Sequence, residues 1–273
     1  YTKQRRRCVY FHRTGMKKFY IIGTLILALI GLRAIDPFPI ESMRLKTFDY
    51  FISTLPYVGD ENILLVDIDD DSLQQLGQWP WPREVFCRFL GPGVTGFSVL
   101  FPEEDRFGGD KNLAKCIKKN SVVVSAAASN ADSAGKPPHV GTSSIGEDPK
   151  PFLFSYKGVL NNVDRIEEAA IGNGVTSTAP EVDNLVRRLP LVFNINDTLY
   201  PSFGLEVLRA AAGAKSYTLK TNETGIEALR VKGLPIITTD PNARVWATWN
   251  TQFERISAKD YAEKAPEYPI VLL

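Results

Sequence analysis

Two patterns of hydrophobic and polar positions alternate along the first half of the chain. Short runs rich in β-branched residues predict strands at residues 62–68, 94–101 and 121–128. The segments between these runs predict helices. The first begins at Asp70, Asp71 or Ser72 and stops at Gly77, and the others lie over residues 83–90 and 110–119. Because strands and helices alternate, the pattern predicts a parallel, doubly wound α/β arrangement.

The second half of the chain is dominated by short strands separated by turns. The strands are predicted within residues 174–180, 185–195, 227–239 and 244–250. One helix, over residues 201–212, interrupts them and stops at Gly213. Residues 129–150 are rich in Ser, Gly, Pro and Asp without periodicity, which predicts a long surface excursion. The expected fold is therefore an α/β, three-layer domain on a mixed, partly parallel sheet.

The two ends of the sequence suggest a piece of a longer protein. The first residue is Tyr1, and the last six residues, "YPIVLL", predict a buried strand with nothing after it. We expect a further domain or membrane segment to follow Leu273 in the parent protein.

The N-terminal segment has the pattern of a membrane anchor. Residues 19–32 carry no charge, and the apolar stretch to Ile35 has 17 residues, roughly 25 Å of helix. Asp36-Pro37 ends it, and an amphipathic helix is predicted over residues 41–54. A buried core helix is the alternative. A cleaved signal peptide is less favoured, because no small-x-small cleavage site precedes Asp36.

Charge is distributed unevenly between the two sides of this segment. Residues 1–18 contain seven basic residues and no acidic one, whereas the remainder has 25 basic and 31 acidic residues. A basic arm before an apolar span predicts that the arm stays in the cytoplasm and the body is exported. The predicted organisation is a cytoplasmic arm over residues 1–18, a transmembrane anchor over 19–35 and an extracytoplasmic domain over 36–273. The body has no basic, aromatic-interleaved patch, so a membrane partner is expected and a nucleic-acid partner is not.

Cysteine and histidine usage limits the chemistry of the body. Cys87 and Cys116 could form a disulfide after export, but we interpret them as two small buried hydrophobic residues. With two histidines in the whole chain, a His-rich zinc site is excluded. No metal or other cofactor is predicted.

Acidic residues follow two of the predicted strands. Asp67 and Asp69 share one face of the first strand, and Glu103 and Asp110 follow the second. Carboxylates at the carboxyl ends of parallel strands suit a ligand or a hard cation such as Mg²⁺. The favoured alternative is that Asp70 and Asp71 cap a helix while Asp67 or Asp69 pairs with Arg83. The candidate ligand-binding residues are Asp67, Asp69, Arg83, Glu103 and Asp110.

The segment Trp79-Pro80-Trp81-Pro82 is stiff, because each proline fixes its own φ and restricts the residue before it. The two tryptophans could form a platform for a ligand. We favour a structural role in which the rings hold a helix onto the sheet.

Three segments together resemble the CHASE2 family. They are "VDIDDDSLQQLGQWPWPR", "VTGFSVLFPEEDRFGGDKNLAKCI" and "EVDNLVRRLPLVFNINDTLYPSFGLEVLRAAAG", the last containing the motif residues Asp183 and Arg187. The resemblance covers roughly residues 36–273. It implies a bacterial membrane receptor with a short cytoplasmic tail, one span, a sensory domain outside, further spans and a cytoplasmic output such as a cyclase or a kinase. The family has no agreed ligand, so the resemblance assigns no binding residue.

The resemblance leads to three functional expectations. The first is an extracytoplasmic domain that senses a small-molecule or protein ligand for a membrane receptor, is not itself an enzyme and forms a homodimer or part of a membrane complex. The second is an anchored structural subunit of a larger membrane assembly. The third, an acid-site hydrolase, is least favoured because no nucleophile stands out near the acidic residues.

Overall fold

The computed structural model describes residues 2–56, 58–133, 135–248, 251–264 and 266–273. It divides into two compact units. The first contains the two N-terminal helices together with residues 182–184, and the second contains the rest of the chain from Pro56. The predicted organisation drew its boundary after residue 35, and that boundary stays a prediction.

The first unit consists of helices α1 (Thr2–Ile35) and α2 (Phe38–Ser53). The segment Lys17–Ile35 is long and apolar enough to cross a membrane. Pro37 separates the helices, since proline cannot donate the backbone hydrogen bond that would continue α1. The Arg44 guanidinium lies 2.7 Å from the Asp36 carboxylate, which closes the turn.

The second unit mixes short strands with short helices. Its strands are β1 (Val58–Asp67), β2 (Val94–Phe97), β3 (Ser121–Ser129), β4 (Thr142–Gly146), β5 (Ser155–Tyr156), β6 (Gly158–Leu160), β7 (Gly172–Val175), β8 (Arg188–Pro190), β9 (Val192–Ile195), β10 (Thr198–Pro201), β11 (Tyr217–Asn222), β12 (Gly225–Val231), β13 (Ile237–Thr238), β14 (Arg244–Trp246), β15 (Thr251–Ser257) and β16 (Ile270–Leu272). Its helices are α3 (Asp70–Leu76), α4 (Asp110–Lys118), α5 (Asp164–Glu167), α6 (Phe203–Ala211) and α7 (Ala258–Lys264), with 3₁₀ turns at Arg83–Phe89 and Lys150–Phe152.

The main sheet has seven strands in the order β15-β1-β16-β2-β3, with β6 and β7 both pairing with β3. Every pair in it is parallel except β3 with β6. The last strand of the chain, β16, therefore lies between β1 and β2: Ile270 pairs with Ile63 on one side and with Val94 on the other. The expected mixed, partly parallel sheet is confirmed.

Helices cover both faces of this sheet, as a three-layer domain requires. One face carries the largest core, to which α4, α7 and the Arg83–Phe89 turn contribute Leu113, Ile117, Tyr261, Phe86 and Phe89. On the opposite face, α6 places Val207 against Val94, Val123 and Ile270. Side chains along β3 point alternately to the two faces of the sheet. Val122 and Val124 therefore belong to one core and Val123 to the other.

Smaller sheets complete the unit. One has the order β13-β12-β11-β4, another β10-β9-β5, and β14 pairs with β8. Asn196 and Asp197 form the β9–β10 turn with positive φ values of 47° and 62°, as a tight hairpin turn demands. The surface excursion predicted over residues 129–150 contains one short and mostly exposed strand, β4, which pairs with β11.

Candidate ligand cleft

The Trp-Pro-Trp-Pro segment connects the end of α3 to the Arg83–Phe89 turn. Trp81 is buried, and its indole N–H donates to the Gly77 carbonyl at 2.6 Å. Its ring stacks on Phe89 with centroids 6.1 Å apart. Trp79 differs: its side chain is 45% exposed while one edge contacts the rings of Trp81 and Phe86. The two tryptophans therefore occupy different environments, one inside the core and one at its surface.

A cleft of about 280 Å³ lies beside Trp79. One wall is formed by residues 79–83, and the other by residues 99–106, the loop that follows β2. Phe86 and Phe101 are buried among the lining residues and meet edge to face with centroids 4.9 Å apart. The cleft thus combines buried aromatic walls with an acidic rim that contains Glu103, Glu104 and Asp105.

Arg83 holds the two walls together. Its Nε donates to the Asp110 carboxylate at 3.0 Å, and its Nη2 donates to the Glu103 carbonyl at 2.9 Å. The guanidinium carbon also lies 4.5 Å from the centre of the Phe101 ring, a cation–π geometry. A planar guanidinium suits this combination of a carboxylate, a carbonyl and an aromatic face.

The acidic loop is ordered by its own hydrogen bonds. The second oxygen of Asp110 accepts from the Asp105 backbone N–H at 2.8 Å, and the Asp105 carboxylate accepts from Gly109 N–H at 2.9 Å. Among the described residues, none donates a hydrogen bond to the carboxylates of Glu103 and Glu104, which are exposed on the rim. The carboxylates of Asp105 and Asp110 thus order the loop, whereas those of Glu103 and Glu104 remain open to solvent.

Asp67 and Asp69 lie elsewhere, and their predicted pairing with Arg83 is wrong. Asp67 pairs with Arg255 at 3.4 Å on the surface. Asp69, rather than Asp70 or Asp71, caps α3 by accepting from the Ser72 backbone N–H at 2.9 Å. The hydroxyl of Ser72 lowers the pKa of Asp69 most, and its backbone N–H and the Ser257 hydroxyl lower that pKa further.

The separation of these aspartates from Glu103 has a topological cause. The sequence prediction assumed that the first two strands are neighbours, which would bring their carboxyl ends together. Because β16 occupies the position between β1 and β2, the two acidic ends are one strand further apart. The structure thus groups Arg83, Glu103 and Asp110 and leaves Asp67 and Asp69 outside the group.

Cys87 and Cys116 form a disulfide, so their interpretation as two unlinked buried residues is wrong. The bond joins the Arg83–Phe89 turn to α4, the same two elements that Arg83 and Asp110 connect. Nothing in the spacing of the two cysteines identified the pair. The one available signal was the prediction that the body is exported to a compartment where disulfides persist.

The remaining motif residues, Asp183 and Arg187, lie far along the chain from the cleft-lining residues. Asp183 belongs to the 182–184 segment of the first unit, and Arg187 is buried in the second unit, where its carbonyl accepts from Ala247 N–H at 2.8 Å. Sequence reasoning missed the charged cluster near Arg187. There, Arg188 binds both oxygens of Glu181 at 2.7 Å and lowers the pKa of that carboxyl.

The donor sets in the described ranges do not form a metal site. No group of three or more His, Cys, Asp or Glu side chains that could hold an ion occurs in the part of the chain that the structure describes. The groups that line the cleft are aromatic rings, the Arg83 guanidinium and carboxylates.

The chain matches a known protein family. The model of the CHASE2 domain matches residues 24–272, which include the cleft, the disulfide and every strand of the main sheet. CHASE2 domains are extracytoplasmic sensory domains and are not catalytic. No curated protein and no solved structure matches the chain.

Proposed function

The chain belongs to the CHASE2 domain family, and on that premise we propose that it is the ligand-sensing domain of a membrane-bound receptor. Binding outside the cytoplasm shifts the domain between two arrangements, and the membrane helix passes the difference inward. A ligand can do so only to the extent that it binds one arrangement more tightly than the other. The output domain belongs to another part of the receptor.

The extent of the family match supports α1 as an uncleaved anchor. The match begins at residue 24, inside the apolar segment Lys17–Ile35. Part of the span therefore belongs to the family's domain, whereas a removable leader would precede it. The basic arm before the span favours a cytoplasmic N-terminus. The disulfide between Cys87 and Cys116 supports an oxidising location for the body.

The ligand site in this proposal is the cleft beside Trp79. The observation that carries it is the contrast between the two tryptophans: Trp81 is buried, whereas Trp79 is 45% exposed at the mouth of a cavity of about 280 Å³. A large aromatic side chain half exposed beside open carboxylates offers both stacking and charge to a small molecule. Arg83 and Asp110 hold the walls, so they position the site.

A melting-temperature screen of the full chain in detergent tests the site. Small molecules that bind the cleft raise the melting midpoint with concentration by mass action. The effect of a true cleft ligand is lost in Trp79→Ala and kept in Trp246→Ala. Trp246 is a matched control, because it is 48% exposed and does not line the cleft. Ligands whose effect survives Trp79→Ala would place the sensory site elsewhere.

A further inference from the structure

Helix α2 has two apolar sides, of which one is buried and the other exposed. Leu45 is 4% exposed, and Phe48 and Ile52 are partly buried. On the other side, Met43 is 70% and Tyr50 is 66% exposed. A helix that buries only one side usually carries polar residues on the opposite, solvent-facing side, and α2 carries apolar residues there.

The exposed side has the spacing of a helix–helix seam. Ile40, Met43, Thr47 and Tyr50, here called the α2 seam, follow one another at intervals of three, four and three residues. This is the a/d pattern of a heptad, with a period of about 3.5 residues that matches a second helix. The hydroxyl of Thr47 donates to the Met43 carbonyl at 2.8 Å, so this polar group is satisfied within its own helix.

The flanks of the α2 seam narrow the choice of partner. Arg44 and Lys46 are exposed on either side of it. These two charges bound an apolar surface that also includes Phe51, which is 61% exposed. In a parallel pair of such helices, Lys46 would lie beside Phe51 of the other copy, which gives an attractive flank without opposing like charges.

Position in the chain favours a second copy of this chain as the partner. Helix α2 begins at Phe38, directly after α1 ends at Ile35. Two copies anchored in one membrane therefore present their α2 seams at the same height and in the same direction. Confinement to the membrane also raises their effective concentration, which compensates for a seam of about two heptads.

We propose that the α2 seam is the contact between two copies of this chain, packed in parallel just outside the membrane. The proposal rests on the membrane anchoring of the proposed function. It adds a defined interface to that function, since a parallel helix pair next to two spans could change its spacing or rotation when the body binds a ligand.

Disulfide scanning of the full chain in membranes tests the interface. Single cysteines are placed at residues 39–54 in a Cys8→Ser background, and a mild oxidant is added. We expect covalent dimers at Met43→Cys and Tyr50→Cys, several-fold more abundant than at Lys46→Cys and Ser53→Cys. The last two positions are exposed controls on the flank, where like residues of a parallel pair are too far apart to bond.

Each other outcome overturns the proposal in a recognisable way. Equal cross-linking at all four positions would mean collision without a specific seam. If no dimers form and maleimide labels the cysteine of Met43→Cys, nothing covers this side of the helix. If no dimers form and maleimide does not label that cysteine, lipid or a different protein covers it. Release of the chain by alkaline washing would overturn the anchor itself, whereas a retained chain without dimers would overturn only the seam.

Discussion

Arg83 and Asp110 form an ion pair of 3.0 Å in which only 12% and 11% of the two side chains are exposed. The pair ties the Arg83–Phe89 turn to the first turn of α4, and the disulfide between Cys87 and Cys116 ties the same two elements. Two independent links thus hold one wall of the cleft to α4. The site proposed for ligand binding is built on a rigid support.

Replacing Arg83 by alanine should destabilise the protein by about 3–5 kcal/mol, because it leaves the largely buried Asp110 carboxylate without its cation. Urea unfolding followed by circular dichroism measures the loss. Arg255→Ala is the control, since its pair with Asp67 is exposed and should contribute at most about 1 kcal/mol. Equal effects of the two changes would show that the Arg83 pair is not a structural link.

The two tryptophans should differ in their contribution to stability. Trp81→Ala should cost about 3–5 kcal/mol, because it removes a buried ring and leaves a cavity. Trp79→Ala should cost clearly less, since that ring is half exposed. Thermal and urea unfolding of both variants measure the difference. An unchanged melting midpoint in Trp81→Ala would contradict the structural role of this residue.

Loss of the disulfide should reduce stability by roughly 3–4 kcal/mol, as expected for a bond that closes a loop of about 30 residues in the unfolded chain. Cys87→Ser and Cys116→Ser should have the same effect, and Cys8→Ser should have none. Non-reducing electrophoresis of protein trapped directly from cells reports whether the bond forms. A fully reduced pair in exported protein would contradict the assignment.

The membrane topology can be measured with maleimide on intact cells. A membrane-impermeant reagent should label Ser143→Cys, on an exposed part of β4, and should reach native Cys8 only after the membrane is opened. The reverse pattern would mean that the body faces the cytoplasm. Cleavage of the chain near residue 35 would instead identify a signal peptide.

Acid should weaken the Glu181 cluster. Arg188 lowers the pKa of Glu181, so the stabilisation from this carboxylate is complete above the ordinary glutamate pKa of about 4.3 and is lost as the pH falls through the lowered value. At neutral pH, Glu181→Gln should be less stable than the natural protein, and the difference should shrink on acidification. Glu104→Gln, which removes one exposed carboxylate on the rim of the cleft, serves as the control. Parallel pH curves for the natural protein and Glu181→Gln would contradict this assignment.

Local pattern predicted the early elements closely. The strand expected at residues 121–128 is Ser121–Ser129, and the helix expected at 110–119 is Asp110–Lys118. These succeed because periodicity and helix-end signals depend on neighbours in sequence. The strand predicted over residues 62–68 is present as β1, but the prediction did not include its N-terminal extension to Val58.

The pattern of hydrophobic and polar residues did not predict which distant strands pair. Nothing in "YPIVLL" indicates which strands it separates, so β1 and β2 were taken as neighbours and Asp67 was placed with Glu103. The partner of Arg83 was missed for the same reason, since it lies 27 residues away while several other aspartates, Asp67 and Asp69 among them, are closer in sequence. Three of the five candidate ligand residues, Arg83, Glu103 and Asp110, nevertheless meet at one place.

Because β16 lies inside the sheet and comes late in the sequence, the sheet cannot be completed until this strand has been synthesised. A nascent chain that has emerged only as far as residue 269 lacks the strand that pairs with both β1 and β2. The sheet can close only when the final strand arrives, and strands this distant in sequence pair slowly. Until then, the incomplete polypeptide exposes two unpaired strand edges, where chaperones or aggregation compete for them. Shortening the chain by a few C-terminal residues would therefore remove the middle of the sheet, not its margin.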